Sequence, residues 1–552
     1  MLAKSEVFGY TPKKEYSKSV AYFSMEFAID QSLKIYSGGL GFLAGSHMRS
    51  AYELKQNMIG IGMLWKYGYY DQGRNMDGSM HPYWIEKHYS FLTDTDIVFP
   101  VEVHGATVFV KAFLLKPEVF NTVPIFLLST DIPQNDPVSR TITQKLYDGN
   151  ESTRVAQSIV LGIGGAKLMD ILDFGIEIYH MNEGHALPLA FYLYSKYKDI
   201  NEVRKHVVFT THTPEEAGNE ERDFGLLSRM SFFNGNSDDE IKNLLNITNN
   251  RVNYTLCALK MAKIANAVSQ MHGDVSREMW SGYNDICEIK SITNAQNKRY
   301  WKDEVLEKAY ETDDDKLFIA RKKEMKAELF DIVADQSGKI FNPDVLTIVW
   351  ARRYAGYKRA DLIKNDIQRF NALASNTEFP IQLIWAGKPY PLDTHAIETF
   401  NALYYMSLSH PNIAVLTGYE LSLSAKLKKG SDVWLNNPRL YREASGTSGM
   451  TAAMNGSINF SIPDGWIPEF AKHGYNSFII PPADRELNID EQNKIESNSL
   501  LDILENEIIP TYYKKQKKWI SIAKNAMRDV SPAFESGRMA KEYYQKLFTL
   551  EI

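Results

Sequence analysis

Cysteine is nearly missing: the 552 residues carry two, Cys257 and Cys287. Two thiols make no disulfide framework, so a reducing compartment is expected. The opening MLAKSEVFGYTPKKEYSK lacks an apolar signal core, and no apolar run reads as long enough to span a bilayer. These absences predict a cytoplasmic chain with no membrane partner. Excess positive charge is missing too. A formal net charge of −6 speaks against nucleic acid as a partner, because such binders carry a basic footprint. There is no G-x-S-x-G elbow and no Walker A lysine, which removes the α/β-hydrolase and P-loop readings. Internal repeats and low-complexity tracts are absent as well.

What is present is a folded soluble composition, 44% apolar and 24% charged, in a chain too long for one core. Aromatic residues reach 12%, a level that buried rings explain. Short apolar runs alternate with helical stretches. VAYFSM, MIGIGML, VEVHGATVFVKAFLL, VPIFLLS, IEIYHM and HVVFTTH read as strands in the first half. VLTIVWA, IQLIWAG, IAVLTG, DVWLNN, SINFSI and NSFIIPP read so in the second. STRVAQSIVLGIGGAKLMDIL has helical spacing. Alternating strands and helices predict α/β architecture, with parallel sheets covered on both faces. The polar stretch near 290–305 marks the junction, giving domains 1–296 and 297–552, with the last helices free to pack back on the first domain.

In doubly wound sheets, ligands bind outside the carboxyl ends of strands. Four loops stand there. SGGLGFLAG, 37–45, puts three glycines before a helix, where backbone N–H groups can meet an anion or a tight turn can pack. ARRYAGYKRA clusters Arg352, Arg353, Lys358 and Arg359 after a buried strand, a place for phosphate. EASGTSGMTAAMNG, 443–456, sets Glu443 at the head of a run of small residues. That carboxylate suits sugar hydroxyls, and the N–H groups near Gly446 and Thr447 suit an oxyanion. YHMNEGHA and VVFTTHTPEEAG bring His180, Glu183, His185 and His212 past two strands. Metal is a poor reading there because the HExxH spacing is absent, and hydrogen bonding is preferred. His47 and His410 carry no signal.

These segments, with YFSMEFAIDQSLKIYSGGLGFLAGSHMRSA, MHGDVSREMW, SITNAQNKRYW, WAGK, DVWLNNP and FESGRM, resemble in order and over nearly the whole chain the α-glucan (glycogen, starch, maltodextrin) phosphorylases, above all their short bacterial form. The resemblance implies the GT-B fold: two Rossmann-like doubly wound domains with an interdomain active-site cleft. It implies reversible, configuration-retaining transfer of a glucosyl unit between an α-glucan and phosphate. By motif, Gly38, Gly39, Leu40 and Gly41 face the phosphate and the transferred sugar. The resemblance likewise implies that His212, Asn294, Glu443, Ser445 and Gly446 contact the sugar. It implies that Arg353 and Lys358, with Tyr357 and Thr447 as companions, hold phosphate. Arg353, Lys358, His212 and Glu443 are the catalytic candidates. The chain starts almost at its first core strand, so the regulatory arm of animal phosphorylases is not expected.

The family also implies pyridoxal phosphate, held as a Schiff base by a lysine directly after EASGTSGM. Here that position is Thr451, which has no amine. Lys426, Lys428 and Lys429 sit on a different helix. Glu420 and Phe42 stand where some members carry arginines, and Ala295-Gln296 replace the Gly-Val that usually follows the asparagine. Three readings stay open. The preferred one is a hexosyltransferase without covalent cofactor, its donor a sugar phosphate or a nucleotide sugar. The second is a phosphorylase with non-covalent pyridoxal phosphate. The third is a glucan-binding relative without turnover. Which hexose is moved and the oligomeric state, a homodimer included, are not legible.

Overall fold

A computed structural model describes residues 2–550. The chain divides into two compact units. Unit 1 holds the residues up to Tyr70, Trp84–Asn297 and the segment from Ser536 on. Unit 2 holds Asp71–Tyr83 and Lys298–Glu535.

Unit 1 has a nine-stranded sheet: β1 (Val20–Phe23), β2 (Met58–Met63), β3 (Thr93–Val103), β4 (Ala106–Leu115), β5 (Ile125–Ser129), β6 (Ile178–Asn182), β7 (Val207–Thr210), β8 (Ile264–Ala267) and β9 (Ile289–Ser291). Their spatial order is β9-β8-β7-β6-β1-β2-β5-β4-β3. From β9 to β5 all neighbours are parallel, and β5, β4 and β3 pair antiparallel. The run VEVHGATVFVKAFLL, read as one strand, turns back on itself. His104 (φ 54°) and Gly105 (φ 68°) make the two-residue reversal between β3 and β4, the left-handed pair that fits a hairpin's twist.

The helical stretch Glu151–Leu172 corrects a second expectation. Its 22 residues are long and apolar enough to cross a membrane, although no such run was expected. Most of it is buried inside the unit, as in the core helix of a globular fold. It contains a π turn at Val160–Gly164.

Unit 2 has six parallel strands: β10 (Leu346–Ala351), β11 (Ile381–Ala386), β12 (Ile413–Leu416), β13 (Val433–Asn436), β14 (Ile458–Ser461) and β15 (Ser477–Ile479). Their order is β12-β11-β10-β13-β14-β15. Strands β10 to β14 are buried at every position, so both faces are covered. The chain goes outward from β10 on one side, then returns to start the other side at β13. That reversal leaves a crevice at the carboxyl ends of β10 and β13. In unit 1 the same reversal falls between β1 and β6. Two Rossmann-like doubly wound sheets are therefore present, as the sequence predicts.

Candidate active site

In unit 1 the residues after β1, β6 and β7 form one network. Glu26, three residues past β1, is buried, and its carboxylate accepts from the backbone N–H of Ser37 (2.7 Å) and Gly38 (3.0 Å), and from the hydroxyls of Ser37 (3.1 Å) and Tyr147 (2.7 Å). The first donors of the glycine loop are thus spent on a protein carboxylate. The helix Gly39–Glu53 begins just beyond, and its first N–H groups have no intrahelical acceptor. A Cβ added at Gly41 would lie 2.7 Å from the Glu26 carboxylate, and one at Gly45 would collide with the Ala28 carbonyl, whereas Gly38 and Gly39 face open space. Close packing explains Gly41 and Gly45, and access explains the other two.

His212 follows β7. Its Nε2 lies 2.7 Å from Asn182 Oδ1, and the Asn182 amide donates to the Ser24 hydroxyl (3.2 Å), which donates to the Glu26 carbonyl (2.8 Å). Burial pulls the His212 ring down to about 3, so it is neutral at neutral pH, with Nε2–H the donor to Asn182. Its backbone N–H donates to Glu183 (2.8 Å), which also accepts from Gly184 N–H (3.1 Å). Glu183 sits at φ 72°, a strained value for a residue with a Cβ. Burial pushes its carboxyl up to about 6, opposed by those N–H donors. Asn294 is buried, its own N–H donates to Val268 O (2.9 Å), and its Oδ1 has no protein donor. A cavity of about 310 Å³ adjoins Glu183, lined also by His185, Arg154, Glu220, Arg222 and Tyr254. His180 instead lies wholly in the core between Tyr22 and Tyr543.

In unit 2 the crevice between β10 and β13 holds a charged cluster. Arg352, 6% exposed, forms an ion pair with Glu443 through Nη2, and its Nη1 has no acceptor. Lys358 Nζ lies 3.7 Å from the same carboxylate. Burial pulls Lys358 down to about 7, with Glu443 opposing and the two arginines assisting. Burial would push Glu443 up, but Arg352, Lys358 and Arg353 together hold it below the usual carboxylate range. Arg353 is exposed and hydrogen-bonds Tyr357, whose hydroxyl is pushed up by burial and by Glu443. The loop carrying Glu443 is pinned by Asp464, which accepts from the N–H groups of Arg442 (3.1 Å) and Glu443 (2.9 Å). Burial, then the charge of Glu443, pushes Asp464 up to about 7. Ser445 and Thr447 are buried, and Gly446 turns at φ 78°.

The predicted residues therefore fall into two groups. Gly38, Gly39, Leu40, Gly41, His212 and Asn294 belong to unit 1. Arg353, Tyr357, Lys358, Glu443, Ser445, Gly446, Thr447 and Thr451 belong to unit 2. Arg359 leaves the basic cluster. Its guanidinium pairs with Glu496 and donates to the carbonyls of Asn437 (3.0 Å) and Pro438 (2.8 Å), so it braces a loop. Thr451 is fully buried in the short helix Ser448–Ala453, its hydroxyl donating to Ser448 O (3.0 Å). Sequence reasoning missed Glu26, Tyr147, Asn182 and Asp464. A carboxylate three residues past the first strand was the one available signal, for Glu26. Among the described residues no group of three or more His, Cys, Asp or Glu is placed to hold a metal ion.

No family model matches the chain. An uncharacterised protein of Methanocaldococcus jannaschii is 47% identical over 96% of this chain and 100% of its own length. Maltodextrin phosphorylase of Thermococcus litoralis is 32% identical over 97% of this chain and 71% of its own. Glycogen phosphorylase of Aquifex aeolicus is 30% identical over 97% of this chain and 86% of its own. With two doubly wound sheets and relatives at that level across nearly its whole length, the chain belongs to the glycogen and maltodextrin phosphorylase family.

Proposed function

We propose that the protein is a glycosyltransferase that moves a hexosyl unit, with retention, between an α-glucan and a phosphate-bearing donor, without pyridoxal phosphate bound as an imine. The observation that carries the reading is the cluster at the crevice of unit 2. Three cations, Arg352, Arg353 and Lys358, surround one carboxylate, Glu443, and the buried Arg352 keeps an N–H group without an acceptor. A buried donor in that state is costly unless a ligand or an ordered water completes it. A phosphoryl oxygen does so, and the same cations stabilise the charge that develops as the glycosyl–phosphate bond breaks. Arg352 and Lys358 both lie on Oε2 of Glu443, and in this reading Oε1 meets sugar hydroxyls. The neutral His212 and the open Gly38–Gly39 turn of unit 1 are the sugar-facing groups in this reading, and the cavity beside Glu183 takes the glucan.

The family implies pyridoxal phosphate, and the residues do not fit its covalent form. Thr451 has no amine, and its hydroxyl is spent on Ser448. The buried lysines of unit 2 are engaged elsewhere. Lys388 pairs with Glu420 (2.8 Å), Lys326 with Asp432 (2.5 Å), and Lys322 donates to three carbonyls. Lys428 lies over the Trp301 ring, 3.8 Å from its centroid.

The test is a donor screen. A maltooligosaccharide is incubated with glucose 1-phosphate, then separately with UDP-, ADP- and GDP-glucose, and chain length is followed. Extension with one of them is expected. Arg352→Ala is expected to lower its rate by about 10²–10³, the loss typical of a removed transition-state donor. Arg353→Ala is expected to lower it as well, through lost phosphate binding. Oligosaccharide binding without extension by any donor would point instead to a glucan-binding relative. A borohydride-stable lysine adduct of pyridoxal phosphate would overturn the cofactor half of the reading.

A further inference from the structure

Two glycine turns hold the main chain at Arg352. Gly387 follows the last residue of β11 at φ 148°, and a Cβ there would collide with the Arg352 carbonyl oxygen. The Arg352 N–H in turn donates to the carbonyl of Ala386 (3.2 Å). Gly418 lies two residues past β12 at φ 76°. The residue after it, Tyr419, donates its hydroxyl to the carbonyl of Ala351 (3.3 Å). Glycine is the residue with the most backbone freedom, and neither turn has a side chain of its own to hold it.

One buried amide bridges them. Gln72, 9% exposed, belongs to the hairpin Asp71–Arg74 and Met80–Tyr83. Its Nε2 donates to the Gly387 carbonyl (2.9 Å), and its Oε1 accepts from the Gly418 N–H (3.0 Å). A primary amide presents donor and acceptor at a fixed separation, so these two bonds set the spacing of the turns. The hairpin has other attachments to unit 2. Arg74 donates to Val415 O (2.6 Å) and lies 3.9 Å from the centre of the Tyr404 ring, and the Asn401 side chain accepts from Met80 N–H (2.8 Å).

Placement matters at Arg352. Its side chain is buried, with Nη2 on Glu443 and Nη1 without an acceptor, so the main chain sets the direction from which a ligand oxygen is met. Hydrogen bonds weaken steeply with misalignment, and a site of this kind needs its groups held to within about 0.5 Å. We propose that Gln72 is a positioning residue for the anion site: by fixing Gly387 and Gly418 it fixes the main chain at Ala351 and Arg352, and so aims the guanidinium at a phosphoryl group. The inference rests on the reading of the Arg352 cluster as an anion site. In this role Gln72 acts through Arg352 and contacts no ligand itself.

Calorimetric titration of the full chain with sulfate tests this without requiring turnover. Gln72→Met keeps the side chain's length and removes both bonds. It is expected to weaken sulfate about 10- to 100-fold, the range for one charge-assisted hydrogen bond. Arg74→Met loosens the same hairpin without touching either turn, and is expected to stay within about twofold of wild type. In an Arg352→Met background, adding Gln72→Met is expected to change sulfate affinity by no more than about twofold, because the residue through which Gln72 acts is gone. Equal losses in Gln72→Met and Arg74→Met, or the full further loss in the Arg352→Met background, would mean a general loosening of unit 2 and would overturn the proposal. Should Gln72→Met not fold, Gln72→Glu keeps the Gly418 bond, loses the Gly387 bond and is expected to weaken sulfate as well. A wild type that binds no sulfate sinks the reading of the Arg352 cluster, and this proposal with it. Wild-type binding that the Gln72 variants leave unchanged sinks the role of Gln72 alone.

Discussion

Lys358 illustrates how a single buried residue ties function to pH. With a pKa near 7 it loses its charge as pH rises through neutrality, and the attraction for an anion falls with it. Sulfate, which does not titrate there, is the clean probe. Its affinity is expected to drop about tenfold between about pH 6 and about pH 9, and Lys358→Met to bind weakly with no such dependence. Glu183 gives the opposite limb. As a carboxylate it holds the His212 N–H, and protonation below about 6 replaces an acceptor oxygen with a donor. Transfer is expected to fall as pH drops through that value, and Glu183→Gln to lack this acid limb. Its raised pKa also means that its contribution to stability is full below its unfolded pKa and is lost as pH rises through about 6. Thr451 offers a third test. Thr451→Lys is expected to gain a borohydride-stable lysine adduct of pyridoxal phosphate that the wild type lacks, read as a mass shift of the reduced protein.

The helix Gly39–Glu53 shows which parts of a glycine-rich loop serve packing. Gly45→Ala forces a methyl group against the Ala28 carbonyl and is expected to cost about 2–3 kcal/mol in a denaturant melt, the usual penalty for overpacking. Gly39→Ala meets nothing and gains helix propensity, so stability is expected to hold or rise by up to about 1 kcal/mol. The same substitution is expected to weaken oligosaccharide binding, because it fills space kept open at the helix start. A mutant pair in which both lose stability equally would argue for packing alone. The hairpin Asp71–Arg74 and Met80–Tyr83 makes a similar point. Its strands, DQGR and MHPY, carry no apolar run to read from sequence, yet they fix the ends of β11 and β12 through one glutamine.

For the whole molecule, the last segment is part of unit 1 and not a tail on unit 2. Met539, Tyr543, Tyr544, Leu547 and Phe548 are at most 1% exposed, and at about 2 kcal/mol for each buried side chain their loss rivals the stability of a domain. A chain stopped after Glu535 is expected to lose hydrogen-exchange protection throughout unit 1 while the strands of unit 2 keep theirs. Residue order alone determined a good deal: the buried strands of unit 2, because a strand covered on both faces is apolar at every position, and the absence of an amine at 451. The short strands β8 and β9 were not legible, since IANA and IKS mix small and polar residues and offer no apolar run, unlike the equally short β7 and β15. Only the tertiary structure decided that Arg352, and not its neighbour Arg353, lies buried on Glu443, 91 residues away. It alone paired Lys388 with Glu420, 32 residues on, and spent the donors of the glycine loop on Glu26. Periodicity reports what neighbours along the chain share, whereas charge pairing and strand order depend on which distant segments the sheet sets side by side.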